Sequence, residues 1–357
     1  MSSIFQTSEL VIVRSQPRAG ALPLPADAQV FALREPRGEG LRRKLDVLFM
    51  LPYYLYVMAK HVRRADVIHV PLPGDLPLLG MLVAVVFRKP VIARYGGSWK
   101  STSVTTTMNN VTRNLMRWLA GGKNVMLATG EDVGKPAVNM EWMFTTALST
   151  SEMRGIQPQF DRGLNTPARI VFAGRLSSEK GADVLIRALA ILNKDNVTQL
   201  HVTFLGDGPQ RSELERLVDA LDCRGQVSFE GQVNRKQLNQ YLSASDFAVQ
   251  PSFTEGLSKA WLDEMSHGLP LVATRVGAAE AVVGGDNVRG WIVPPGDPEA
   301  LAATIRDVLL TPRDWPALRR RCREYAETRT TEKWADAIAM LCAKQWRCSF
   351  SQGKLTY

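Results

Sequence analysis

Cysteine is scarce in this chain, and common metal-binding patterns are missing. Only four of the 357 residues are cysteines, and no C-x-x-C or finger-like spacing joins Cys223, Cys322, Cys342 and Cys348. This spacing predicts reduced thiols of a cytosolic protein, and it disfavours a disulfide framework or a zinc site. No Asp-x-Asp pair occurs either, so a usual carboxylate platform for a divalent cation is missing. We therefore expect no metal ion and no other cofactor.

Long apolar segments are also absent. The first apolar stretch, Leu10 to Val13, is too short for the core of a secretory signal, so we expect a cytoplasmic protein. Leu76 to Phe87 is shorter than the roughly 20 residues that cross a bilayer, and it is assigned to the core. No internal repeat or low-complexity tract is present. A chain of 357 residues with 45% apolar content suits two domains.

Positive charge is concentrated in the first half of the chain. Residues 1–165 contain 20 Lys and Arg against 12 Asp and Glu, whereas the remainder contains 24 against 23. No zinc finger, RNA-recognition signature or basic run interleaved with aromatics accompanies this surplus, so nucleic acid is not the expected partner. The charge favours peripheral contact with an anionic membrane.

One segment allows two interpretations. Arg42-Arg43-Lys44 and Arg63-Arg64 bracket residues 45–60, which are rich in Tyr, Leu and Met and contain Phe49 and Pro52. The segment is too short to span a bilayer, so it could lie in the membrane interface with its basic ends on lipid phosphates. Equally, it could be an amphipathic core helix with solvated ends.

Short apolar runs alternate with helical patterns along most of the chain, which predicts parallel sheets covered by helices. Residues 149–168 are rich in loop-forming residues and are the best candidate linker. The basic run Arg319-Arg320-Arg321-Cys322-Arg323 lies in a helical stretch and is interpreted as a solvated face. Strands are expected at 11–13, 29–33, 65–70, 89–94, 169–173, 200–205, 226–229, 246–250, 270–273 and near 291–293, and in the second half helices at 181–193, 209–221, 234–243 and 258–267.

Two loops in the second half place charged residues between a strand and a helix. Arg175 and Lys180 follow the strand at 169–173, in Gly-Arg-Leu-Ser-Ser-Glu-Lys-Gly. Glu255 follows the strand at 246–250, and Asp263 lies in the next helix. Loops at the carboxyl ends of parallel strands are where α/β sheets bind ligands, and the first turn of a helix offers backbone N–H groups to anions. An arginine and a lysine at such a place favour phosphate binding.

These motifs resemble those of the family-four retaining glycosyltransferases, also called glycosyl transferases group 1. The resemblance is carried in order and at family spacing over residues 169 to about 310, by residues 174–181, 205–209, 227–231, 245–246, 251–270 and 293–297. It implies an α/β protein of GT-B fold, with two Rossmann-like doubly wound domains facing across a cleft. The implied domains are residues 1–160 on the acceptor side, 161–330 on the nucleotide-sugar side, and a terminal helix in 331–357 that packs back on the first.

The resemblance also implies roles for residues of the second domain. Arg175 and Lys180 would hold the donor diphosphate, and Glu255 would approach the transferred sugar, which makes these three the expected catalytic residues. Asp263 would bind the ribose hydroxyls in place of a family glutamate one methylene longer, unless a rotated helix presented Glu264 instead. The remaining donor-site positions implied are Gly174, Gly231, and the backbone of Gly256, Leu257 and Ser258.

The first half departs from the family pattern. Members commonly carry a donor-contacting histidine at the position of Gly96, and His69 on an earlier strand is interpreted as a core residue. The connection from Arg14 to Ala28 is short for the family's first loop and helix. The acceptor-side candidates are Arg94, Tyr95, Gly96, Gly97 and Ser98, followed by Glu131 and Asp132.

The expected activity is metal-independent, retaining transfer of a sugar from a UDP- or GDP-sugar. The expected acceptor is lipid-linked or a polysaccharide, at the cytoplasmic face of the membrane. Two alternatives stay open at this point: a soluble transferase acting on a small molecule or protein, and a non-catalytic subunit that binds nucleotide-sugar.

Overall fold

Each half of the chain contains one main parallel β-sheet. The computed structural model describes residues 4–5, 7–13, 28–37, 40–99, 105–132, 134–351 and 354–356. The predicted short connection from Arg14 to Ala28 lies, apart from Ala28, outside these residues, as do the side chains of Arg43 and Lys44.

The N-terminal half contains a four-stranded parallel sheet in sequential order. Its strands are β3 (Ile68–Leu72), β4 (Val91–Tyr95), β5 (Val125–Thr129) and β6 (Met140–Met143), and a separate parallel pair is formed by β1 (Glu9–Val13) and β2 (Gln29–Leu33). The helices are α1 (Gly40–Arg64), α2 (Asp75–Val86) and α3 (Thr107–Leu119). The strand expected at 65–70 begins only at Ile68, because α1 continues until the amide of Ala65 donates to the carbonyl of His61.

The C-terminal half contains a six-stranded parallel sheet in the order β9-β8-β7-β10-β11-β12. The strands are β7 (Ala168–Ala173), β8 (Leu200–Leu205), β9 (Val227–Gly231), β10 (Phe247–Gln250), β11 (Leu271–Thr274) and β12 (Gly290–Val293). The helices are α5 (Ala182–Lys194), α6 (Arg211–Ala220), α7 (Arg235–Ala244), α8 (Lys259–Ser266), α9 (Ala279–Val283), α10 (Pro298–Leu310) and α11 (Trp315–Glu327). The elements expected in this half are confirmed to within two residues. The strand order is that of a doubly wound dinucleotide-type sheet, and it reverses between β7 and β10.

Both faces of the second sheet are covered, which explains the continuous apolar runs of its strands. All four residues of β10 are buried. Phe172 and Val249 pack with α5 and α10 on one face, whereas Val171 and Ala248 pack with α8 and α11 on the other. Strands buried on two faces lose the polar alternation of half-exposed strands.

The predicted linker at 149–168 is not wholly loop. It contains α4 (Thr150–Gly155), because the side chain of Ser149 accepts from the amide of Glu152, while the Glu152 carboxylate accepts from the amide of Ser149. Such a capping box satisfies amides at a helix start even in a loop-rich sequence. The boundary between domains at 160/161 stays a prediction.

Helix α12 (Thr331–Trp346) returns to the first sheet. Its buried residues Ile338 and Cys342 pack with Ile92 of β4 and Leu127 of β5. The two crossings between the halves lie side by side, since the Glu332 carboxylate accepts from the Thr150 amide at 2.8 Å and from its hydroxyl at 2.7 Å. The chain ends in a hairpin of β13 (Ser349–Ser351) and β14 (Lys354–Thr356).

The basic run in α11 is only partly a solvated face: Arg320 is exposed, but the interpretation was wrong for Arg319, Arg321 and Arg323. Arg319 is 1% exposed. Arg321 donates to the carbonyls of Asn287 and Val288, and Arg323 to those of Met153 and Ser266. Arg321 and Arg323 thus give additional donors to backbone carbonyls of neighbouring segments.

Asp246, the residue just before β10, is predicted to be important for stability. Its carboxylate is fully buried and accepts from the Asn165 amide at 3.1 Å, the Asn165 side chain at 2.9 Å and the Arg169 amide at 2.8 Å. Asp246→Ala leaves these donors and the nearby Arg319 uncompensated, so we expect the free energy of unfolding to fall by about 3–5 kcal/mol. Denaturant unfolding measures this loss. Asp219→Ala, which removes an exposed ion pair with Arg224, is the control, and a loss as large in the control would contradict the interpretation.

Candidate active site

A cavity of about 860 Å³ opens at the point where the strand order of the second sheet reverses. It is lined by the loops after β7, β8 and β9 and by one side of α8. Its walls include Gly174, Arg175, Gly206, Asp207, Gly208, Gln232, Val233, Ala260 and Asp263. The cavity therefore lies at the edge where doubly wound sheets bind ligands.

Arg175 is the exposed cation of this cavity. Its guanidinium makes no hydrogen bond or ion pair with any residue that the structure describes, and the backbone around it is held by main-chain hydrogen bonds. The Gly174 amide donates to the Leu205 carbonyl at 2.9 Å, and the Leu176 amide donates to the Asp207 carbonyl at 3.0 Å. A fixed backbone with an uncommitted guanidinium suits the binding of an anion from solution.

Gly231 supports the same cavity through its backbone. The Gly206 amide donates to the Gly231 carbonyl at 2.8 Å, so the end of β9 is tied to the loop after β8. Gly231 is placed behind the cavity wall, and its role as a donor-site residue stays a prediction.

Lys180 and Glu255 form an ion pair across the reversal point. The Lys180 ammonium contacts Oε1 of Glu255, and both side chains are mostly buried. Lys180 ends a 3₁₀ turn that closes at Gly181, whose φ of 67° is left-handed. A Cβ at Gly181 would lie 2.1 Å from the Pro251 carbonyl oxygen, so only glycine lets the two loops approach this closely. The pair neutralises both charges until a ligand competes for one of them.

The loop of Gly256, Leu257 and Ser258 leads directly into α8. Ser258 is the N-cap residue, but its side chain caps no amide. Leu257 is 5% exposed and anchors the loop in the core. Amides in a first helical turn lack intrahelical partners and favour anions, so this helix start complements the two cations.

The two halves meet at this loop. A Cβ on Gly256 would lie 3.0 Å from the Gly97 carbonyl oxygen and 3.4 Å from that of Thr129. Gly97 and Thr129 follow or end strands of the first sheet, so both sheets present their carboxyl edges to one cleft. Gly97 faces the Glu255 loop through its backbone, whereas the Gly96 amide donates to the Leu72 carbonyl at 2.5 Å.

The neighbouring carboxylates of α8 have separate surroundings. Asp263 faces the cavity and binds Nη1 of Arg235 at 2.8 Å. Burial raises the pKa of Asp263, and the Arg235 guanidinium opposes that rise. Glu264 points away from the cavity and is fully buried. The helix is therefore oriented to present Asp263, not Glu264.

Glu264 belongs to a buried polar pair that the sequence analysis missed. Nε2 of Gln250, at the end of β10, lies 2.5 Å from Glu264 Oε1 and 3.1 Å from the Ala173 carbonyl oxygen. Burial raises the pKa of Glu264 well above its ordinary value. The only sequence signal was polarity at two positions inside apolar runs. Because Ala173 precedes Gly174 and Arg175, the pair braces the loop that carries the exposed cation.

Two of the acceptor-side candidates do not present their side chains to the cleft. The Arg94 guanidinium lies over the Trp334 ring of α12, 5.7 Å from its centroid. Tyr95 is 2% exposed and meets Trp99 edge-on. The alternation of β4 sends these residues to opposite faces, and helices cover both faces. The prediction that the Arg94 and Tyr95 side chains line the cleft was wrong.

The other acceptor-side residues have distinct positions. The Ser98 carbonyl accepts from Arg113, a buried residue of α3 that also donates to the Trp99 carbonyl at 2.8 Å. Both carboxylate oxygens of Glu131 accept from Nη2 of Arg329, at 2.7 and 2.8 Å, and Oε2 also accepts from the Tyr325 hydroxyl. Glu131 joins the two halves. The roles assigned to Gly96, Gly97 and Ser98 stay predictions.

His69 is enclosed in the first domain, as expected of a core histidine, but its buried Nε2 has no hydrogen-bond partner among the described residues, so it is not a satisfied one. Burial lowers its pKa to about 4, with a smaller contribution from Arg94, so its imidazole is neutral near pH 7. Within the described ranges, no group of three or more His, Cys, Asp and Glu residues has the arrangement of a metal site.

The part of the chain that carries this site matches a known protein family. Residues 157–329, which carry every charged group described around the cavity, match the family model of glycosyl transferases group 1. This part of the chain belongs to that family. The chain is 25% identical over 268 residues to the sulfoquinovosyl transferase SQD2 of Arabidopsis thaliana, covering 69% of this chain and 50% of that protein. It is 36% identical over 179 residues to the lipopolysaccharide core biosynthesis glycosyltransferase LpsD of Rhizobium meliloti, covering 48% of each.

The alignments span about half the length of these two glycosyltransferase relatives. A solved structure of Anabaena HepE in complex with UDP superposes with a TM-score of 0.70 at 17% identity, covering 95% of this chain and all of that one. The chain has the GT-B fold, with two Rossmann-like domains facing across a cleft.

The buried carboxyl group of Glu264 should make the free energy of unfolding depend on pH. Because its folded pKa is raised, the folded protein keeps a proton that the unfolded chain releases above about pH 4.3. The free energy of unfolding therefore falls as pH rises from there towards the folded pKa, by up to about 1.4 kcal/mol per pH unit. Glu264→Gln preserves the shape and cannot ionise, so we expect a smaller fall between about pH 5 and 8. Urea unfolding across this range measures it. Exposed Glu280→Gln is the control, and equal slopes in Glu264→Gln and the wild type would contradict the prediction.

Proposed function

We propose that the protein transfers a sugar from a nucleoside-diphosphate donor, a UDP- or GDP-sugar, to an acceptor bound across the cleft. One observation carries this proposal: Arg175 and Asp263 line one cavity, and the loop of Arg175 also carries Lys180, which pairs with Glu255 in the loop that leads into α8. The group 1 family match and the UDP-bound HepE structure support the class of donor.

The charges suit the breaking of a sugar–phosphate bond. As the bond between the anomeric carbon and the phosphate oxygen breaks, negative charge grows on the diphosphate. Arg175 and Lys180 stabilise that charge, together with the amides of Gly256, Leu257 and Ser258. The donor phosphate displaces Glu255 from Lys180, and the released carboxylate is then free to meet the sugar hydroxyls.

Asp263 is proposed to bind the ribose. It faces the cavity, and its two oxygens can accept from neighbouring hydroxyls even though the side chain is shorter than the family's glutamate. Arg235 binds it at 2.8 Å, and this positive charge opposes the rise in the Asp263 pKa that burial causes.

The stereochemistry and metal requirement are proposed on the same basis. We assign retention at the anomeric carbon: the acceptor oxygen attacks from the face that the phosphate leaves, and a phosphate oxygen takes the acceptor's proton. The two cations and the helix start supply the charge compensation for which other transferases use a divalent ion. Family resemblance supports both assignments.

The acceptor is proposed to be lipid-linked or a polysaccharide, used at the cytoplasmic membrane face. The basic surplus lies in residues 1–165, the half that forms the wall opposite the donor cavity. A relative named for lipopolysaccharide core biosynthesis is consistent with such an acceptor. No helix within the described ranges is long and apolar enough to cross a membrane.

Nucleotide binding gives the third prediction. UDP or GDP should raise the melting temperature of the protein, by an amount that corresponds to about 2.7 kcal/mol at 100 times Kd, whereas ADP should have little effect. Arg175→Ala should weaken this binding roughly 10- to 100-fold, since a charge-assisted hydrogen bond is lost. Thermal-shift titration measures both.

Arg187→Ala is the matched control, because Arg187 is exposed on α5 in the same domain but does not line the cavity. Equal weakening by both substitutions, or no response to any of the three nucleotides, would overturn the donor-site assignment.

Turnover gives the fourth prediction. Lys180→Ala and Glu255→Ala should each lower the rate of donor hydrolysis or transfer about 10²- to 10³-fold. The same assay separates the two alternatives left open by the sequence. A non-catalytic subunit would bind nucleotide without turnover, and a soluble transferase would use a small or protein acceptor without vesicles. Unchanged rates in both variants would refute the assigned roles.

A further inference from the structure

Helix α1 exposes an apolar face to solvent. Side-chain exposure reaches 59% at Leu45, 65% at Leu48, 86% at Phe49 and 70% at Tyr56. Together with the exposed residues Pro52, Tyr53 and Leu55, these positions form what we call the outer face of α1. At about 100° per residue they occupy less than half of the helix circumference.

The opposite side of α1 already has its partner. Met50, Tyr54, Val57, Met58 and Val62 are buried in the core of the first domain. The segment is therefore an amphipathic helix with one side on the core, as one interpretation expected, and its other side is left exposed. Single exposed apolar side chains are ordinary, but seven in one contiguous face mark an interaction surface.

Basic residues flank the outer face at both ends. Arg42 lies before it, and Lys60 and Arg63 follow it, all of them exposed. Helical spacing places these three on the same side as Phe49. The only acidic residue of α1 is Asp46, whose Oδ2 accepts from the Arg37 amide at 2.7 Å. The face is therefore apolar along its length and cationic at its ends.

We propose that the outer face of α1 lies in the plane of an anionic lipid surface. The aromatic and aliphatic side chains enter the boundary between headgroups and acyl chains, and Arg42, Lys60 and Arg63 bind lipid phosphates. This inference deepens the proposed membrane-face function and rests on it for the acceptor, but it does not depend on the donor chemistry.

Charge disfavours a second copy of the chain as the occupant. In an antiparallel two-fold pairing of α1 helices, Arg42 of one copy would lie near Lys60 and Arg63 of the other. A parallel pairing would place each basic end against its equal. Either arrangement brings like charges together, whereas anionic headgroups compensate both ends.

Membrane contact at α1 would also orient the cleft. The buried side of α1 shares one core with Leu72 and Tyr95, the last residues of β3 and β4. β4 ends just before Gly96, whose amide donates to the Leu72 carbonyl, and the next residue, Gly97, faces the donor loop. Rigid packing fixes the acceptor wall of the cleft relative to the lipid surface, so a lipid-anchored acceptor would reach it without free rotation of the enzyme.

The test uses the full chain and vesicles of phosphatidylcholine with about 30% phosphatidylglycerol, at about 0.1 M salt. We expect co-sedimentation with these vesicles and much weaker binding to pure phosphatidylcholine. Phe49→Ser/Tyr56→Ser should weaken binding at least about tenfold, and Lys60→Glu/Arg63→Glu should do the same. The matched control is Leu310→Ser/Met340→Ser, which removes two apolar side chains of 66% and 64% exposure elsewhere on the surface.

Several results would overturn the inference. One is equal vesicle binding by Phe49→Ser/Tyr56→Ser and the control, and another is the absence of wild-type binding to anionic vesicles. A wild-type dimer in light scattering that Phe49→Ser/Tyr56→Ser converts to monomer would assign the face to self-association instead. UDP titration of the wild-type protein keeps the two proposals apart: nucleotide binding without vesicle binding refutes only the membrane contact, and vesicle binding without nucleotide binding refutes only the donor site. The face variants should keep wild-type UDP binding while they lose vesicle binding.

Discussion

The reversal of strand order between β7 and β10 is the constraint on which the site depends. To the left of β7 the chain proceeds outwards through β8 and β9, and to the right of β10 it proceeds through β11 and β12. The connections that leave β7 and β10 therefore turn to opposite faces of the sheet and open a crevice between them. Arg175 and Lys180 come from one connection and Glu255 from the other. Cations and a carboxylate distant in sequence become neighbours for this reason alone.

Three carboxylates near the crevice show how their surroundings separate their functions. Glu255 forms an ion pair with Lys180, the residue that we propose binds the donor phosphate. Asp263 is held by an arginine at the edge of the cavity. Glu264, the next residue in the chain, is enclosed with Gln250 and favours its neutral form. A helical step of about 100° between adjacent residues moves a carboxyl group from a wet cavity to a dry core.

The second half of the chain was largely predictable because its signals are local. Continuous apolar strands, glycines at tight turns and charged residues just after strands lie close together in sequence, and their order gave the loops around Arg175 and Glu255. Features that depend on distant segments were not predictable. The burial of Arg319, the cover that α12 places over Arg94 and the clamp of Arg329 on Glu131 all require knowing which segment packs beside which. In the first half, Arg94 and Tyr95 follow a strand-end pattern, but the alternation of β4 decides where their side chains point.

The joint between the halves sets how the cleft can change width. The two chain crossings meet where Glu332 binds Thr150, and the Glu131–Arg329 contact lies beside the same crossing. Two domains that are connected at one place can rotate about it but cannot slide past each other there. A rotation of one domain against the other would therefore turn about this crossing, and it would widen the cleft most at the side remote from it.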